Sequence, residues 1–394
     1  MKIILINKFY YHRGGDCTAV FGTEHLLRSK GHETAIFSTK HPDNTPSYWD
    51  KYFPENVSFS LNGLSGKASA AIRLFHSTEV SRKFNQLLSD FRPDVVHLHN
   101  IHSYISPLVA RIAHKKGIRV VWTLHDHKLV CPTYLCLRDG KVCEECFKSK
   151  FNVLKHKCMK DSNVASFLAW METSYWNSKK LSEYTDIFIS PSHFLKKKMI
   201  EGGYKPEQIE VLHNFLPNSL PPPSEKENYY CYVGRLSAEK GADTLLEAAI
   251  KLDYELKVIG GGPLLDFYKK KYDHKNVRFL GSMRQEDLYP IVRKARFLVV
   301  PSICYENNPF NVIEALSMGV PVLGSRIGGI PELIDEGVNG FLFEPGNISE
   351  LQKMICECFD FYTNTYNFEK IAEVAQNKFG SDSFYNKLMM LYDH

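Results

Sequence analysis

Residues 297–319 read FLVVPSICYENNPFNVIEALSMG, and this stretch decides the fold. It opens with a short apolar run, Phe297–Pro301, that has the composition of a buried strand. A helix is predicted over Pro309–Met318, because proline suits the first helical position, Asn308 suits the N-cap, and Gly319 suits the left-handed position after the last turn. A buried strand that leads into a capped helix is the repeating unit of parallel α/β sheets.

Units of this kind recur along the whole chain of 394 residues. Between the strands lie helical patterns such as Val20–Lys30, Gln285–Lys294 and Ile330–Asp335. The predicted strands of the first half are Ile3–Asn7, Thr34–Ser38, Asp94–His99, Arg119–Leu124, Asp186–Ser190 and Ile209–His213, and those of the second half are Tyr229–Val233, Leu256–Ile259, Val277–Leu280, Phe297–Pro301, Val320–Gly324 and Gly340–Phe343. Continuous apolar strands separated by helices favour an α/β fold whose parallel sheets are covered on both faces.

A proline-rich stretch divides the chain into two such halves. Residues 214–224 contain four prolines and show no periodicity, which is typical of a semi-rigid linker. Because 394 residues also exceed the usual size of one core, we predict a Rossmann-like domain over 1–215, a linker over 216–227 and a second Rossmann-like domain over 228–375. The two doubly wound domains are expected to face each other across a cleft, with the ligand at the carboxyl ends of the strands.

Composition and charge exclude several classes of protein. The 49 basic and 44 acidic residues give a net charge of +5, which is too mild to indicate nucleic acid and suits anionic small substrates or an anionic membrane surface. The first apolar run is too short for the core of a signal peptide. No stretch of about 18 apolar residues predicts a transmembrane helix, so we expect a cytoplasmic protein.

The residues at the predicted strand ends have the chemistry of an anion site. In the helix that begins near Pro309, the amides of Phe310 and Asn311 have no acceptor within the helix, and the helix dipole favours a negative charge in front of them. Arg235 and Lys240 follow the first strand of the second half, where a guanidinium fork and an ammonium suit a diphosphate. A well-capped structural helix and ordinary solvated charges are the alternatives.

Two glutamates and two glycines extend this candidate site. Glu306 precedes the helix, where it could bind hydroxyls, and Glu314 lies about one and a half turns into it, where a carboxylate can accept from a ribose diol. Most glutamates are surface residues, which is the alternative interpretation. Gly14 and Gly15 follow the first strand and let a ligand approach the backbone closely, although a plain turn has the same composition.

Together these features resemble the family-4 retaining glycosyltransferases of the GT-B fold. The resemblance covers nearly the whole chain and rests on four landmarks in order: Gly14-Gly15, the segment with Gly234, Arg235 and Lys240, the turn Gly260–Pro263, and the Glu-x7-Glu element of Glu306 and Glu314. Each landmark is weak alone, and their order at the strand ends makes the set specific. The resemblance implies a nucleotide-diphosphate sugar, such as a UDP- or GDP-sugar, as donor and no catalytic metal or cofactor.

The resemblance also implies which groups hold the leaving diphosphate. Arg235 and Lys240 would neutralise its charge. The amides of Phe310 and Asn311, together with the Gly14-Gly15 loop, would complete the anion cradle. Same-face attack is implied for retention, with the leaving phosphate taking the proton of the acceptor hydroxyl.

The remaining implied contacts concern the sugar, the ribose and the base. Glu314 would bind the ribose, Glu306 the hydroxyls of the transferred sugar, and the loop around Met283 the base. His125, at the end of a first-half strand, matches the family's histidine that touches the donor sugar, and a structural histidine is the alternative. The expected catalytic residues are therefore Glu306, His125, Arg235 and Lys240.

Other functions on the same fold stay open at this point. They are a nucleotide-sugar epimerase or hydrolase and a non-catalytic nucleotide-sugar-binding protein. A dinucleotide-dependent oxidoreductase is disfavoured, because the sequence lacks the glycine fingerprint of that class.

Residues 131–160 form a cysteine-rich insertion that contains five of the ten cysteines. Thiols in a cytoplasmic chain are expected to be free or bound to metal. The spacing predicts a structural zinc site held by Cys136, Cys143, Cys146 and Cys158, with Cys131 as the spare ligand. Unligated thiols are the alternative.

Lysines lie in the second half of this insertion, and large apolar residues and further lysines follow it. They are Lys148, Lys150, Lys155, Lys157, Lys160, Phe167, Trp170, Tyr175 and Lys196–Lys198. Such a surface suits anionic lipid headgroups at the inner face of a membrane, and a solvated charged face is the alternative. The resemblance implies a glycan acceptor that is lipid-linked, and a C-terminal helix in 376–394 that crosses back onto the first domain.

Overall fold

The computed structural model describes residues 1–57, 73–216, 220–360 and 366–393. The strands are β1 Lys2–Ile6, β2 Glu33–Phe37, β3 Val95–Leu98, β4 Arg119–Thr123, β5 Leu137–Arg138, β6 Lys141–Val142, β7 Ile187–Ser190, β8 Ile209–Val211, β9 Tyr229–Val233, β10 Glu255–Ile259, β11 Val277–Gly281, β12 Leu298–Val300, β13 Val322–Ser325 and β14 Gly340–Phe343. The helices are α1 Gly15–Ser29, α2 Thr78–Phe91, α3 Leu108–Lys115, α4 Glu145–Lys148, α5 Asn152–Lys155, α6 Asn163–Tyr175, α7 Ser178–Glu183, α8 His193–Glu201, α9 Ala242–Ala249, α10 Leu265–Lys271, α11 Gln285–Val292, α12 Phe310–Ser317, α13 Ile348–Asp360, α14 Phe368–Phe379 and α15 Ser381–Asp393.

Two parallel six-stranded sheets carry these elements, which confirms the predicted α/β class. The first sheet has the order β2-β1-β3-β4-β7-β8 and the second has the order β11-β10-β9-β12-β13-β14. Every pairing within both sheets is parallel. In each sheet the strand order reverses once, between β1 and β3 and between β9 and β12, and α/β sheets bind ligands at such a reversal.

The chain divides into two compact units, one around each sheet. Unit 1 comprises residues 1–136, 143–213 and 384–394, and unit 2 comprises residues 137–142 and 214–383. The main boundary lies two residues before the predicted one, and the short antiparallel hairpin β5–β6 groups with unit 2. Of the predicted linker, residues 217–219 lie outside the described residues.

Alternation along the strands explains how unit 1 buries both faces of its sheet. Ile4 and Ile6 of β1 belong to one core cluster, whereas Ile3 and Leu5 belong to another. Leu388 and Tyr392 of α15 pack into the second cluster, so the C-terminal helix covers one face of the first sheet. Unit 2 has two clusters of its own, divided between the faces of the second sheet in the same way.

Helix starts differ from the predictions at two loops that carry predicted site residues. Helix α1 begins at Gly15 and not at Val20, so the Gly-Gly pair is itself a helix N-terminus. Helix α12 begins at Phe310 with Pro309 at the N-cap, so assigning Asn308 to the cap was wrong. The Asn308 side chain accepts from the backbone N–H of Asn214 at 2.8 Å instead.

Two further predictions concern the end of α12, where the prediction is confirmed, and residues 330–335, where it is wrong. Gly319 has φ +68°, which confirms the left-handed position after α12. The helix predicted over Ile330–Asp335 is a single 3-10 turn, Ile330–Glu332.

Candidate functional site

The predicted site residues of unit 2 follow strands on either side of the reversal in its sheet. Arg235 and Lys240 come after β9, and Glu306 comes after β12. Glu314 lies on α12, the helix that follows. Because β9 and β12 are parallel neighbours, their carboxyl ends meet at one edge of the sheet.

Lys240 and Glu306 form an ion pair at this edge. Lys240 Nζ lies 2.6 Å from Glu306 Oε1, and Ser302 Oγ donates to the same carboxylate oxygen at 2.8 Å. Burial disfavours the charge on Lys240, but the Glu306 carboxylate outweighs it, so the pKa of Lys240 is raised above its usual value. The pair keeps a cation and a carboxylate together at this edge of the sheet.

The loop that carries Lys240 depends on a glycine. Gly241 has φ +67°, and a Cβ atom there would lie 1.8 Å from the carbonyl oxygen of Pro301. No side chain fits against that carbonyl, so glycine lets the β9 loop lie directly on the end of β12.

Three loops at the same edge are hydrogen-bonded to one another. The Leu236 N–H donates to Gly261 O at 2.8 Å, and the Gly260 N–H donates to Gly281 O at 2.8 Å. These bonds join the loop after β9 to the loop after β10, and that loop to the last residue of β11, where the third loop begins. Arg235 is exposed on the first loop and has no ion-pair partner within the described residues, and Met283 lies half-buried on the third.

Glu314 lies in a separate pocket of about 180 Å³, beside Asn311 and Tyr289. The Tyr289 hydroxyl donates to Glu314 Oε1 at 3.0 Å, and Gln285 Nε2 lies 3.4 Å from the same oxygen. Burial raises the pKa of Glu314 to about 7, although the Tyr289 and Gln285 donors act in the opposite direction. The carboxyl group is therefore poised to change its charge near neutral pH.

The first turn of α12 lies at the carboxyl end of β9 and has backbone donors that the helix itself does not use. The amides of Phe310 and Asn311 have no acceptor within the helix, as in the first turn of any helix. The Asn311 side chain donates to Val233 O at 2.8 Å, which ties this turn to the end of β9. An anion in front of α12 would meet free N–H groups and the positive end of the helix dipole.

In unit 1, Gly14, Gly15 and His125 lie at the carboxyl edge of the first sheet. Gly14 is the N-cap of α1, and Gly15 is its first residue. His125 lies two residues past β4 and lines an opening of about 200 Å³ with Asn100, Asp126 and other residues. Burial lowers the pKa of His125 to about 4, with Asp16 acting against this shift and Lys8 adding to it, so the ring is neutral at pH 7.

His125 belongs to an array of histidines that the sequence analysis missed. His99 Nδ1 lies 2.9 Å from His125 Nε2, and the rings of His97 and His99 stack with centroids 4.3 Å apart. His97 in turn bonds to Thr123 Oγ1 at 2.7 Å and to the Tyr392 hydroxyl at 2.6 Å. Alternating histidines at the end of a buried strand, as in VVHLH of residues 95–99, were the available signal.

The cysteines of the insertion lie near one another, so that their charges would interact. Among the residues that the structure describes, no group of three or more His, Cys, Asp or Glu side chains could hold a metal ion. Cys131 instead bonds to the Cys136 thiol, which lowers the pKa of Cys131 to about 6. Cys146 packs in a small apolar cluster with Val153 and Ala169, beside Cys158. The structural zinc site at Cys136, Cys143, Cys146 and Cys158 therefore stays a prediction.

Two lysines of the predicted basic surface are turned inward. Lys150 Nζ donates to Val130 O at 2.5 Å, and Lys198 is buried between Glu144 and Glu201 at 2.6 and 2.9 Å. Assigning these two lysines to an exposed basic face was wrong, because each ammonium is used within unit 1. Across the described ranges, no helix is long and apolar enough to cross a bilayer.

Two family models match adjoining parts of the chain. The model described as glycosyltransferase family 4 matches residues 23–219, and the model described as glycosyl transferases group 1 matches residues 220–360.

Curated relatives match over most of the chain. A 42.6 kDa protein in the cps region of Klebsiella pneumoniae is 28% identical over 84% of this chain and 87% of its own length. An uncharacterized glycosyltransferase of Methanocaldococcus jannaschii is 32% identical over 88% and 86%. The O-antigen biosynthesis glycosyltransferase WbnH of Escherichia coli is 30% identical over 52% and 59%.

Solved structures share the fold at low sequence identity. Sucrose-phosphate synthase from Thermosynechococcus elongatus has a TM-score of 0.73 at 18% identity, over 99% of this chain and 98% of that one. Anabaena Alr3699/HepE in complex with UDP-glucose has a TM-score of 0.68 at 18% identity, with the same coverage. The family matches, the relatives that span most of the chain and these neighbours together establish that the chain belongs to the group 1, family 4 glycosyltransferases of the GT-B fold.

Proposed function

We propose that this protein is a retaining glycosyltransferase that moves a sugar from a UDP- or GDP-sugar to a lipid-linked glycan acceptor in cell-surface polysaccharide biosynthesis. The observation that carries the proposal is the convergence of Lys240, Glu306 and the start of α12 at one sheet edge. This edge offers a cation, a hydroxyl acceptor and free amides within one loop system.

In the proposed donor complex, the diphosphate lies in front of α12. Arg235, which is exposed and without an ion-pair partner in the described part of the chain, supplies a guanidinium fork, and Lys240 supplies a point charge. The amides of Phe310 and Asn311 complete the cradle in unit 2. The helix N-terminus at Gly14 and Gly15 is proposed as a further donor-binding element, carried by unit 1. The solved structure of Alr3699/HepE with UDP-glucose, which has the same fold, supports a nucleotide-sugar donor.

The rest of the donor is proposed to use the carboxylates and the base loop. Glu314 accepts from the ribose diol, and Glu306 accepts from hydroxyls of the transferred sugar. In unit 1, His125 is proposed as a further donor-sugar contact. The loop at Met283 holds the base through its backbone. Diphosphate entry would draw Lys240 away from Glu306 and free that carboxylate for the sugar.

The proposed reaction stabilises charge and needs no metal or cofactor. As the anomeric bond breaks, negative charge grows on the diphosphate, and the cations and the helix dipole lower its energy. The leaving phosphate takes the proton of the acceptor hydroxyl, which attacks from the same face. This route retains the anomeric configuration without a carboxylate nucleophile.

The acceptor class follows from the relatives and from one surface of unit 1. WbnH is named for O-antigen biosynthesis and the Klebsiella relative for a cps region, which supports a cell-surface glycan. On the surface around α6, Phe151, Val164 and Phe167 are 51%, 69% and 44% exposed. Around them lie exposed lysines that have no ion-pair partner among the described residues, namely Lys148, Lys155, Lys157 and Lys160.

Exposed apolar side chains framed by unpaired lysines have the chemistry of an anionic lipid surface. We propose that this face docks at the inner, cytoplasmic side of the membrane, where a lipid-linked acceptor is presented. Co-sedimentation with vesicles that contain anionic lipid tests this step. Val164→Glu should lower the bound fraction, whereas Val338→Glu, at an equally exposed valine (64%) of unit 2, should not.

Donor binding is the first test of the whole proposal. Thermal shifts are measured with UDP-, GDP-, ADP- and CMP-sugars, because a ligand of the native state raises the melting temperature by mass action. The proposed site is supported if sugars of one base raise the melting temperature and Arg235→Ala abolishes this rise. Arg278→Ala is the control and should keep the rise, because Arg278 is a surface arginine paired with Glu255 at 3.0 Å. No shift with any donor would refute the proposed donor site.

Product analysis then separates transfer from the alternatives. An epimerase or hydrolase would change the donor without any acceptor, and a binding protein would leave it intact. NMR coupling at the anomeric carbon of the product decides between retention and inversion.

A further inference from the structure

His99 and His125 are held as a pair by two neighbouring strands. His99 follows β3 directly and His125 lies two residues past β4, and β3 and β4 pair in parallel with Leu98 opposite Trp122. The carbonyl of His99 accepts from the Trp122 indole at 2.9 Å, which fixes the backbone from which its ring projects. His99 Nδ1 then lies 2.9 Å from His125 Nε2, within hydrogen-bond distance.

Both rings are neutral at physiological pH. Burial lowers the pKa of His99 far below its usual value, with His97 and His125 adding to the shift. For His125, burial is again the main cause, while the nearby charges of Asp16 and Lys8 act in opposite directions. Each neutral imidazole carries one N–H, so one ring donates in this hydrogen bond and the other accepts.

The second nitrogen of His99 decides the direction of the bond. His99 is 2% exposed, and its Nε2 has no hydrogen-bond partner among the described residues. If His125 donated, the proton of His99 would be on Nε2, where it would be a buried N–H without an acceptor. If His99 donates from Nδ1, only a lone pair stays unused, which costs less than an orphaned N–H.

We propose that His99 is a positioning residue that donates from Nδ1 to His125 Nε2 and thereby holds His125 as its Nδ1–H tautomer. His125 then has one polar hydrogen, on Nδ1, and its Nε2 is occupied as an acceptor. The lone pair on Nε2 of His125 is then used by His99, so His125 does not act as a base through that nitrogen. This consequence for transfer rests on the proposed function, whereas the tautomer itself does not.

The remaining histidine of the array supports the same arrangement. His97 stacks on His99, and both of its nitrogens are engaged, by Tyr392 and by Thr123. Burial lowers the pKa of His97 to about 3, so it brings no charge next to His99. The His99 ring is thus held between a neutral stacking partner and its hydrogen-bond partner.

Long-range proton–nitrogen NMR of the full-length protein with labelled histidines tests the tautomer directly. In the wild type, we expect Nδ1 of His125 to carry the proton and Nε2 to be bare. His99→Leu should release His125 towards the Nε2–H form. His99→Asn, whose amide nitrogen can replace Nδ1 as donor, should restore the Nδ1–H form. His25→Asn, at an exposed histidine of α1, is the matched control and should change nothing.

Kinetics then distinguish a positioning role from a merely structural one. His99→Leu should lower kcat for transfer by about tenfold or more with little change in donor affinity, and His99→Asn should recover most of it. A proton on Nε2 of His125 in the wild type, or equal tautomers in the wild type and His99→Leu, would overturn the proposal. If no donor is turned over, the proposed function fails, and the NMR spectra still decide the tautomer.

Discussion

Nucleotide-sugar binding should strengthen as the pH rises through neutrality, because Glu314 is held near its point of half-ionisation. Burial raises the pKa of Glu314 to about 7. A ribose diol donates two hydrogen bonds, and a carboxylate accepts both, whereas a protonated carboxyl group offers one of its oxygens as a donor instead. The ionised form is therefore the form that binds.

The size of the effect follows from the ionised fraction. With a pKa of about 7, roughly one Glu314 in eleven is ionised at pH 6 and roughly ten in eleven at pH 8, so the apparent Kd should fall about tenfold between them. The stability of the unliganded unit 2 moves the other way. A raised carboxyl pKa means that the folded state keeps a proton that the unfolded state has released, so this contribution is present at low pH and is lost as the pH rises towards about 7.

Calorimetric titration with UDP-glucose and with GDP-mannose at pH 6, 7 and 8 measures the affinity. In these donors both ends of the diphosphate are esterified, so the molecule has no terminal phosphate. A terminal phosphate has a second pKa of about 6 and would add its own pH dependence to the affinity. Glu314→Gln should bind more weakly and show no pH dependence. Tyr289→Phe removes the donor at 3.0 Å and should shift the profile to higher pH. A flat wild-type profile, or the same slope in Glu314→Gln, would refute the reasoning.

Three further substitutions test the rest of the structure. Lys240→Met leaves the Glu306 carboxylate, whose side chain is 14% exposed, without its cation. In chemical denaturation, unit 2 should therefore lose about 1–3 kcal/mol of unfolding free energy. In calorimetry, the donor affinity should fall at least about tenfold. Gly241→Ala places a Cβ atom 1.8 Å from a backbone carbonyl, so it should abolish donor-induced thermal shifts and lower the melting temperature. Tyr392→Ala removes a side chain that is 2% exposed and leaves a cavity. It should lower the unfolding free energy of unit 1 by about 3–5 kcal/mol, as measured by chemical denaturation.

Each of these substitutions has a matched control in the same chain. Lys275→Met removes an exposed ion pair with Asp253 at 3.7 Å and should be nearly neutral. Gly337→Ala has φ +80° but no neighbour within 4 Å of its Cβ atom, so it isolates backbone strain from the clash. Tyr48→Ala acts on a side chain that is 74% exposed and should change stability little. Equal effects of a substitution and its control would contradict the explanation given for that site.

The sequence by itself determined the α/β class, the parallel sheets and the loops that carry the chemistry. These properties are local, because a strand buried on both faces is apolar throughout and is followed by glycine, proline or a helix cap. The predicted strand Tyr229–Val233 has the same bounds in the structure, and Val277–Leu280 differs by one residue. The family resemblance also came from linear motifs such as Glu306 and Glu314.

Only the tertiary structure decided which of these residues touch one another. The pairing of Lys240 with Glu306, and of His99 with His125, depends on which strands are neighbours, and strand order is a long-range property that local periodicity does not encode. Burial is likewise set by the packing of distant segments. The spacing of the lysines does not predict that the Lys150 ammonium bonds to the Val130 carbonyl inside unit 1.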